Sequence, residues 1–275
     1  MADDFCEITP DRQDRLGRVT NFYIESIRRE HQTTQVNDEH RELEPSVFHP
    51  SYFGKCRRQM LIAKLGLTQP GDEASGIFTT GNAVHEMARK YTEMYRVDHE
   101  VPVRGSIEDP RDINGYTYTI RGHADLIDWQ DEIVYDFKSR NGYYRFDQDN
   151  PKTSYAVQLS IYRDILQEQH GGDWEARLLM INKKNALDVR EVQNVTDKIN
   201  SETIKKTMRR AEDVRDATEA LVYREDQGQP LELNHERLSS QGLPFEKCGC
   251  FICGQEHKDN YEPSLWAYIK ENERP

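Results

Sequence analysis

The chain has 275 residues, of which 31% are charged and 36% hydrophobic, and carries a formal net charge of −12 at pH 7. Its length suffices to bury a real core, recurrent apolar runs exclude a disordered chain, and no run of 18 apolar residues offers a membrane span. Net acidity excludes a protein that coats nucleic acid indiscriminately, but not one with a local basic groove.

Arginine outnumbers lysine 24 to 13, a bias that with the excess of acid suits either a high-salt host or an ordinary acidic protein. The N-terminus, MADDFCEITPDRQ, has neither the basic nor the apolar region of a signal peptide, so the cytoplasm is the expected location.

In chain order, residues 12–31 read as an amphipathic helix with Leu16, Val19, Phe22 and Tyr23 near one side, followed by a polar linker. In SVFHPSYFGKCRRQMLIAKLG, Pro50 and Ser51 suit a helix start and Gly66 a helix stop. A Pro/Gly-bearing loop leads to a third helix over roughly 77–96. The period then changes: HEVPVRGSI, NGYTYTIRGHADLIDW and EIVYDFKS are rich in β-branched and aromatic residues and read as strands. SYAVQLSIYRDILQEQ is helical and ends at Gly171-Gly172, WEARLLMINK and DVREVQN read as two more strands, and 197–224 as a long charged helix. The expected fold is α/β with a compact mixed sheet, helical at its N-terminal side. The expected units are 1–47 (helix and linker), 48–98 (helical), 99–225 (core) and 226–275 (cysteine segment).

The stretch GHADLIDWQDEIVYDFKSR, 122–140, sets two aspartates on neighbouring strands. If these form a hairpin turning at Gln130-Asp131, paired residues sum to 261 and Asp125 faces Asp136; a symmetric four-residue loop keeps the same pairing. Like charges in that position destabilise a sheet unless something offsets them. Lys138, two residues on, projects from the same face. Two close carboxylates make a hard-oxygen site for Mg²⁺ or Mn²⁺. A lysine beside them can orient a water or steady the negative charge that develops in phosphodiester hydrolysis. Taken alone, Asp136 and Lys138 read more readily as a surface ion pair on an edge strand. Around them stand His85 and Glu86 on a helix opened by Gly81, and Gln158 and Tyr162 four apart on one helical face.

The cysteines are Cys6, Cys56, Cys248, Cys250 and Cys253. One early cysteine and the late CGCFIC triplet make four thiolates, enough for a [4Fe–4S] cluster or a tetrahedral zinc site that would clamp the N-terminal helices to the tail. Cys6 is the odd one out. Arg57 and Arg58 suit phosphate contacts or pairing with local acids. Arg140, Tyr143, Tyr144 and Arg145 suit either stacking along a single strand or a plain surface loop.

The order of a G-x3-H helix, a G-x2-D strand, a D-x-K strand and a Q-x3-Y helix resembles the PD-(D/E)xK nucleases. It is most similar to the RecB-like, CRISPR-associated exonucleases that carry an iron–sulfur cluster, over about Ser51 to Cys253. The resemblance implies a restriction-endonuclease-like core, with His85, Asp125, Asp136 and the Phe137 carbonyl as Mg²⁺ or Mn²⁺ ligands and Lys138 as the catalytic lysine. Gln158 and Tyr162 would position DNA and the lysine. One cysteine before the core and three after it, Cys56 with Cys248, Cys250 and Cys253, also resemble that family. The C-x-C-x2-C spacing is tighter than the family's usual one, and zinc stays open. The implied activity is metal-dependent DNA exonuclease or end processing, with CRISPR integration proteins, a helicase or recombination factors as partners and no membrane. A non-catalytic DNA-end-binding adaptor on the same fold is the alternative, as is a zinc-held interaction protein.

Overall fold

The computed structural model describes residues 42–67, 72–92, 97–108, 117–140, 152–193, 195–223, 232–234, 238 and 244–245. The expected helix over 12–31, Tyr143, Tyr144, Arg145, Cys6, Cys248, Cys250 and Cys253 lie outside the described residues.

The centre is a six-stranded mixed sheet in which β1 (Val47–Phe48), β3 (Thr117–Asp128), β4 (Ile133–Arg140), β5 (Glu175–Asn182) and β6 (Asn185–Val192) lie in that order, and β2 (Asp98–Glu108) pairs with β3. β4 and β5 run parallel, joined by the crossover helix α3 (Thr153–His170), while β2–β3, β3–β4 and β5–β6 are antiparallel. The remaining helices are α1 (Arg57–Lys64), α2 (Asp72–Thr92) and α4 (Ser201–Leu221), with 3-10 turns at Pro50–Tyr52 and Val195–Lys198. A short hairpin pairs β7 (Val222–Tyr223) with β8 (Glu232–Leu233). Among the described residues no helix is long and apolar enough to cross a membrane.

The hairpin register is the expected one. Leu126 pairs with Tyr135, Ile127 with Val134 and Asp128 with Ile133, around a four-residue loop. That loop is held by the Asp128 carboxylate, which accepts from the Gln130 and Asp131 amides at 3.0 and 3.2 Å.

Three elements differ from expectation. The helix expected over roughly 77–96 already begins at Asp72, within the expected Pro/Gly-bearing loop, so Gly81 lies inside it rather than opening it. The single helix expected from Pro50 to Gly66 is broken into the 3-10 turn and α1, because the chain at Gly54 runs against α3. A Cβ there would collide with the Ser154 Cβ. Gly66 does stop the helix, at φ +68°. The long helix expected over 197–224 starts only at Ser201, where the Asn200 side chain accepts from the Thr203 amide at 2.8 Å.

One edge of β3 is shared unequally, and this matters for the site. β2 pairs with β3 from residue 117 to 127; on the other edge β1 meets only residues 119–120 and β4 only 126–128. Residues 121–125 therefore face a gap between β1 and β4. The core beneath is continuous, with Phe48, Phe53, Tyr118, Ile120, Leu159 and Ile165 all fully buried. Gly122 borders the gap: a Cβ there would meet the Pro50 Cδ at 2.8 Å and the Tyr162 hydroxyl at 2.9 Å.

Candidate active site

Asp125 lies in β3 at the edge of this gap, and Asp136, Phe137 and Lys138 lie in β4 opposite it. The ladder between the strands stops one pair short of the two aspartates. Instead the Phe137 amide donates to Asp125 Oδ2 at 2.6 Å, so the carboxylate takes the place of a main-chain acceptor and is aimed across the strand break. The facing expected for the two carboxylates thus arises from divergence rather than from a regular pair.

Asp136 is 2% exposed. The Lys138 Nζ lies 2.8 Å from its Oδ1 and 2.7 Å from its Oδ2, and Gln158 Nε2 donates to Oδ1 at 3.0 Å. Only the Oδ1 contact of the lysine is well directed. Oδ2 is buried with no hydrogen bond among the described residues, and it is the acceptor left open to a further ligand. Lys138 also lies 5.4 Å from the centre of the Tyr155 ring, whose π-face helps hold the ammonium. The Tyr162 hydroxyl is spent on the His123 carbonyl at 2.7 Å, satisfying main chain within the gap.

Burial pushes both carboxylic acids up to about 6, with Lys138 pulling the other way in each case. Burial also pulls the Lys138 ammonium down, but Asp136 and Asp125 outweigh it and the net shift is upward. The lysine is therefore a fixed cation and no proton acceptor at neutral pH. His85, on α2, is lowered by burial and then by Lys138, so its imidazole is neutral and has a lone pair to offer. Its Nδ1 lies 3.7 Å from Asp125 Oδ2, too far for a hydrogen bond, and its ring meets Phe137 edge-on at 6.0 Å.

Among the described residues no three His, Cys, Asp or Glu side chains form a ready-made metal cage. Mg²⁺ does not require one, since it is ordinarily held by one or two carboxylates with waters and substrate phosphate. Two desolvated carboxylates, an open buried acceptor and a neutral imidazole fit such a cation.

The other expected site residues lie elsewhere. Arg140 ends β4; Arg57 and Arg58 open α1 directly after Cys56, far along the chain from the acidic pair. Tyr155 is a site residue that the sequence motifs do not single out, although its place three residues before Gln158 on one helical face was a usable signal.

A family model described as the PD-(D/E)XK nuclease superfamily matches residues 96–253. The chain belongs to that superfamily. The matched span includes Asp125, Asp136, Lys138, Gln158 and Tyr162, as well as Cys248, Cys250 and Cys253; it leaves His85 and Cys56 outside. Three solved structures are similar to this superfamily member. SSO0001 has 18% identity and a TM-score of 0.45, covering 71% of this chain and 86% of its own. A putative exonuclease from Eubacterium rectale has 11% identity and a TM-score of 0.44, covering 80% and 96%. An alkaline exonuclease, LHK-Exo, from Laribacter hongkongensis has 14% identity and a TM-score of 0.37, covering 64% and 90%. No curated protein gives a significant match to the sequence.

Proposed function

We propose that this chain is a metal-dependent deoxyribonuclease of the RecB-like kind, hydrolysing phosphodiester bonds at DNA ends or in single strands. The observation that carries the reading is Asp136: a buried carboxylate gripped by Lys138 and Gln158, whose Oδ2 makes no directed hydrogen bond among the described residues. Asp125, Asp136, His85 and the Phe137 carbonyl would hold Mg²⁺ or Mn²⁺. When bound, the ion supplies Lewis-acid polarisation of the scissile phosphate and an acidified water.

The chain's own residues do the rest. The Phe137 amide fixes the Asp125 carboxylate in one orientation, and Gln158 does the same for Asp136. Lys138 holds a permanent positive charge where negative charge accumulates on the phosphate, the role that a preorganised cation performs best in a desolvated site. The Tyr155 ring faces the Lys138 ammonium, and Tyr162 is a positioning residue that keeps the His123 main chain, and hence Asp125, in register.

The same reading includes a four-cysteine site, Cys56 with Cys248, Cys250 and Cys253, for [4Fe–4S] or Zn²⁺, structural rather than redox because hydrolysis transfers no electrons. Its support is local. Arg58 donates to the Phe245 carbonyl at 2.9 Å and the Arg57 guanidinium lies 5.5 Å from the Phe245 ring centre, so residue 245 packs beside the start of α1. Cys248 is three residues further, and three residues span at most about 10 Å. Work in CRISPR adaptation or recombination, with integration proteins, a helicase or recombination factors, belongs to this proposal.

The test uses anaerobically purified protein and end-labelled single- and double-stranded DNA with Mn²⁺ or Mg²⁺. Degradation abolished by EDTA and by Lys138→Ala supports the nuclease, and the label gives its polarity. DNA bound but left intact by the wild type across metals and salt would make the chain an adaptor. Iron, sulfide and zinc analysis of the wild type against Cys56→Ser decides the cysteine site.

A further inference from the structure

The molecule is acidic, yet one open pocket of about 580 Å³ is lined by Cys56, Arg57, Arg58, Lys206, Arg209, Arg210, Asp213, Pro244 and Phe245. Five cations face one carboxylate, a net charge of +4 in a chain of net charge −12. The pocket lies where α1 packs on α4. Thr207, Met208, Ala211, Val214 and Thr218 of α4 are buried, which leaves Lys206, Arg209, Arg210 and Asp213 on one ridge at i, i+3, i+4 and i+7.

The cations divide into two groups. Arg57 pairs with Asp213 at 2.9 Å, Arg58 donates to the Phe245 carbonyl, and Arg210 donates to the Lys55 carbonyl at 3.3 Å; these hold the walls together. Lys206 and Arg209 are exposed, and among the described residues neither has an ion-pair partner. A four-thiolate cluster beside Cys56 would carry a charge of about −2, for zinc or [4Fe–4S] alike, and would leave the pocket still positive. The segment leading into α1 touches α3 at Gly54–Ser154, one residue before the Tyr155 that meets Lys138. The approach to the pocket and the Lys138 side chain are thus both in contact with the first turn of α3.

We propose that this α1–α4 pocket is a second DNA-contact site, in which Lys206 and Arg209 bind the phosphodiester backbone of a single strand whose other end lies at the acidic pair. The choice of a nucleic acid as ligand rests on the nuclease reading; the anion-binding chemistry rests on the pocket itself.

The experiment measures binding of fluorescent oligothymidylate to the full-length protein in Ca²⁺, as a function of salt, for the wild type, Lys206→Glu, Lys205→Glu and Lys206→Glu/Arg209→Glu. Lys205 is also exposed and adjacent in sequence, but it does not line the pocket, so its reversal changes net charge equally. Each cation that no longer neutralises a phosphate of a single strand lowers the slope of log K against log salt by about 0.7. The expected result is a slope lower by about 0.7 for Lys206→Glu, about 1.4 for the double variant, and unchanged for Lys205→Glu, with melting temperatures alike. Equal slopes for Lys206→Glu and Lys205→Glu overturn the proposal, even if the wild type cleaves DNA. If the wild type fails to cleave with Mn²⁺ but shows the expected slopes, the nuclease reading falls and the pocket stands.

Discussion

Lys64 and Lys138 are both withdrawn from water, and the protein treats them in opposite ways. Lys64, at the end of α1, is completely buried; its ammonium donates to the Glu44 and Val47 carbonyls and lies 4.5 Å from the Phe48 ring centre. Burial pulls it down to about 7, against the weaker pull of Glu42 and Glu44. Lys138 is only partly buried, its side chain 24% exposed, and sits on Asp136 with Asp125 nearby; its shift is upward. Neutral carbonyls solvate a buried ammonium without balancing its charge, whereas carboxylates do both. The carboxylates beside Lys138 thus keep it a cation, while the carbonyls around Lys64 do not.

The largest effect should separate the two lysines by function. Lys138→Met should reduce DNA cleavage by about 10²–10³-fold, the usual consequence of removing one preorganised charge. Lys64→Met should leave the rate per folded molecule within a few-fold of wild type. Comparable losses of rate in both variants, at matched circular dichroism, would erase the distinction.

Gly122→Ala strikes the wall between the two regions, since its new Cβ would press on Pro50, which follows β1, and on the Tyr162 hydroxyl. The expected cost is about 1–3 kcal/mol by urea denaturation, the range for overpacking a filled site. Tyr162→Phe, which loses a hydrogen bond without adding bulk, should cost about 1 kcal/mol.

Much of this was legible in sequence. The D-x-K strand and the sum-261 register follow from alternation and from a short symmetric loop, both local properties. The break at Gly54, the burial of Lys64 and the contact of Tyr155 with Lys138 were not legible, because each depends on an element distant in the chain.

The pH dependence should also divide the two regions. Asp125 and Asp136 have folded-state values raised to about 6 from the ordinary value of 3.8, so the native state binds more protons in that window. Their contribution to stability therefore falls as pH rises from about 4 to 6. A divalent ion removes the repulsion only once both are ionised. Mn²⁺ should raise the melting temperature more at pH 7.5 than at pH 5, and an equal shift at both would separate the ion from the acidic pair.

Lys64 has the opposite sign. Its folded value is about 7 against 10.5 unfolded, so the native state binds fewer protons between the two and stability rises with pH across that window. Any advantage in melting temperature of Lys64→Met over wild type should shrink from pH 7 to pH 10. An advantage independent of pH would mean that folded Lys64 keeps its proton up to pH 10, its value not lowered by burial.

The sequence by itself determined the strand periods, the hairpin register, the carboxylate–lysine spacing and the four-residue step from Gln158 to Tyr162. These are short-range consequences of a repeat of two in strands and 3.6 in helices. Only the tertiary structure decided that β4 would leave β3 before reaching Asp125, that Asp136 would be buried with one oxygen lacking a directed hydrogen bond, and that Lys206 and Arg209 of α4 would line one pocket with Cys56. Those facts depend on which surfaces meet, and burial and net local charge are properties of the meeting rather than of either segment.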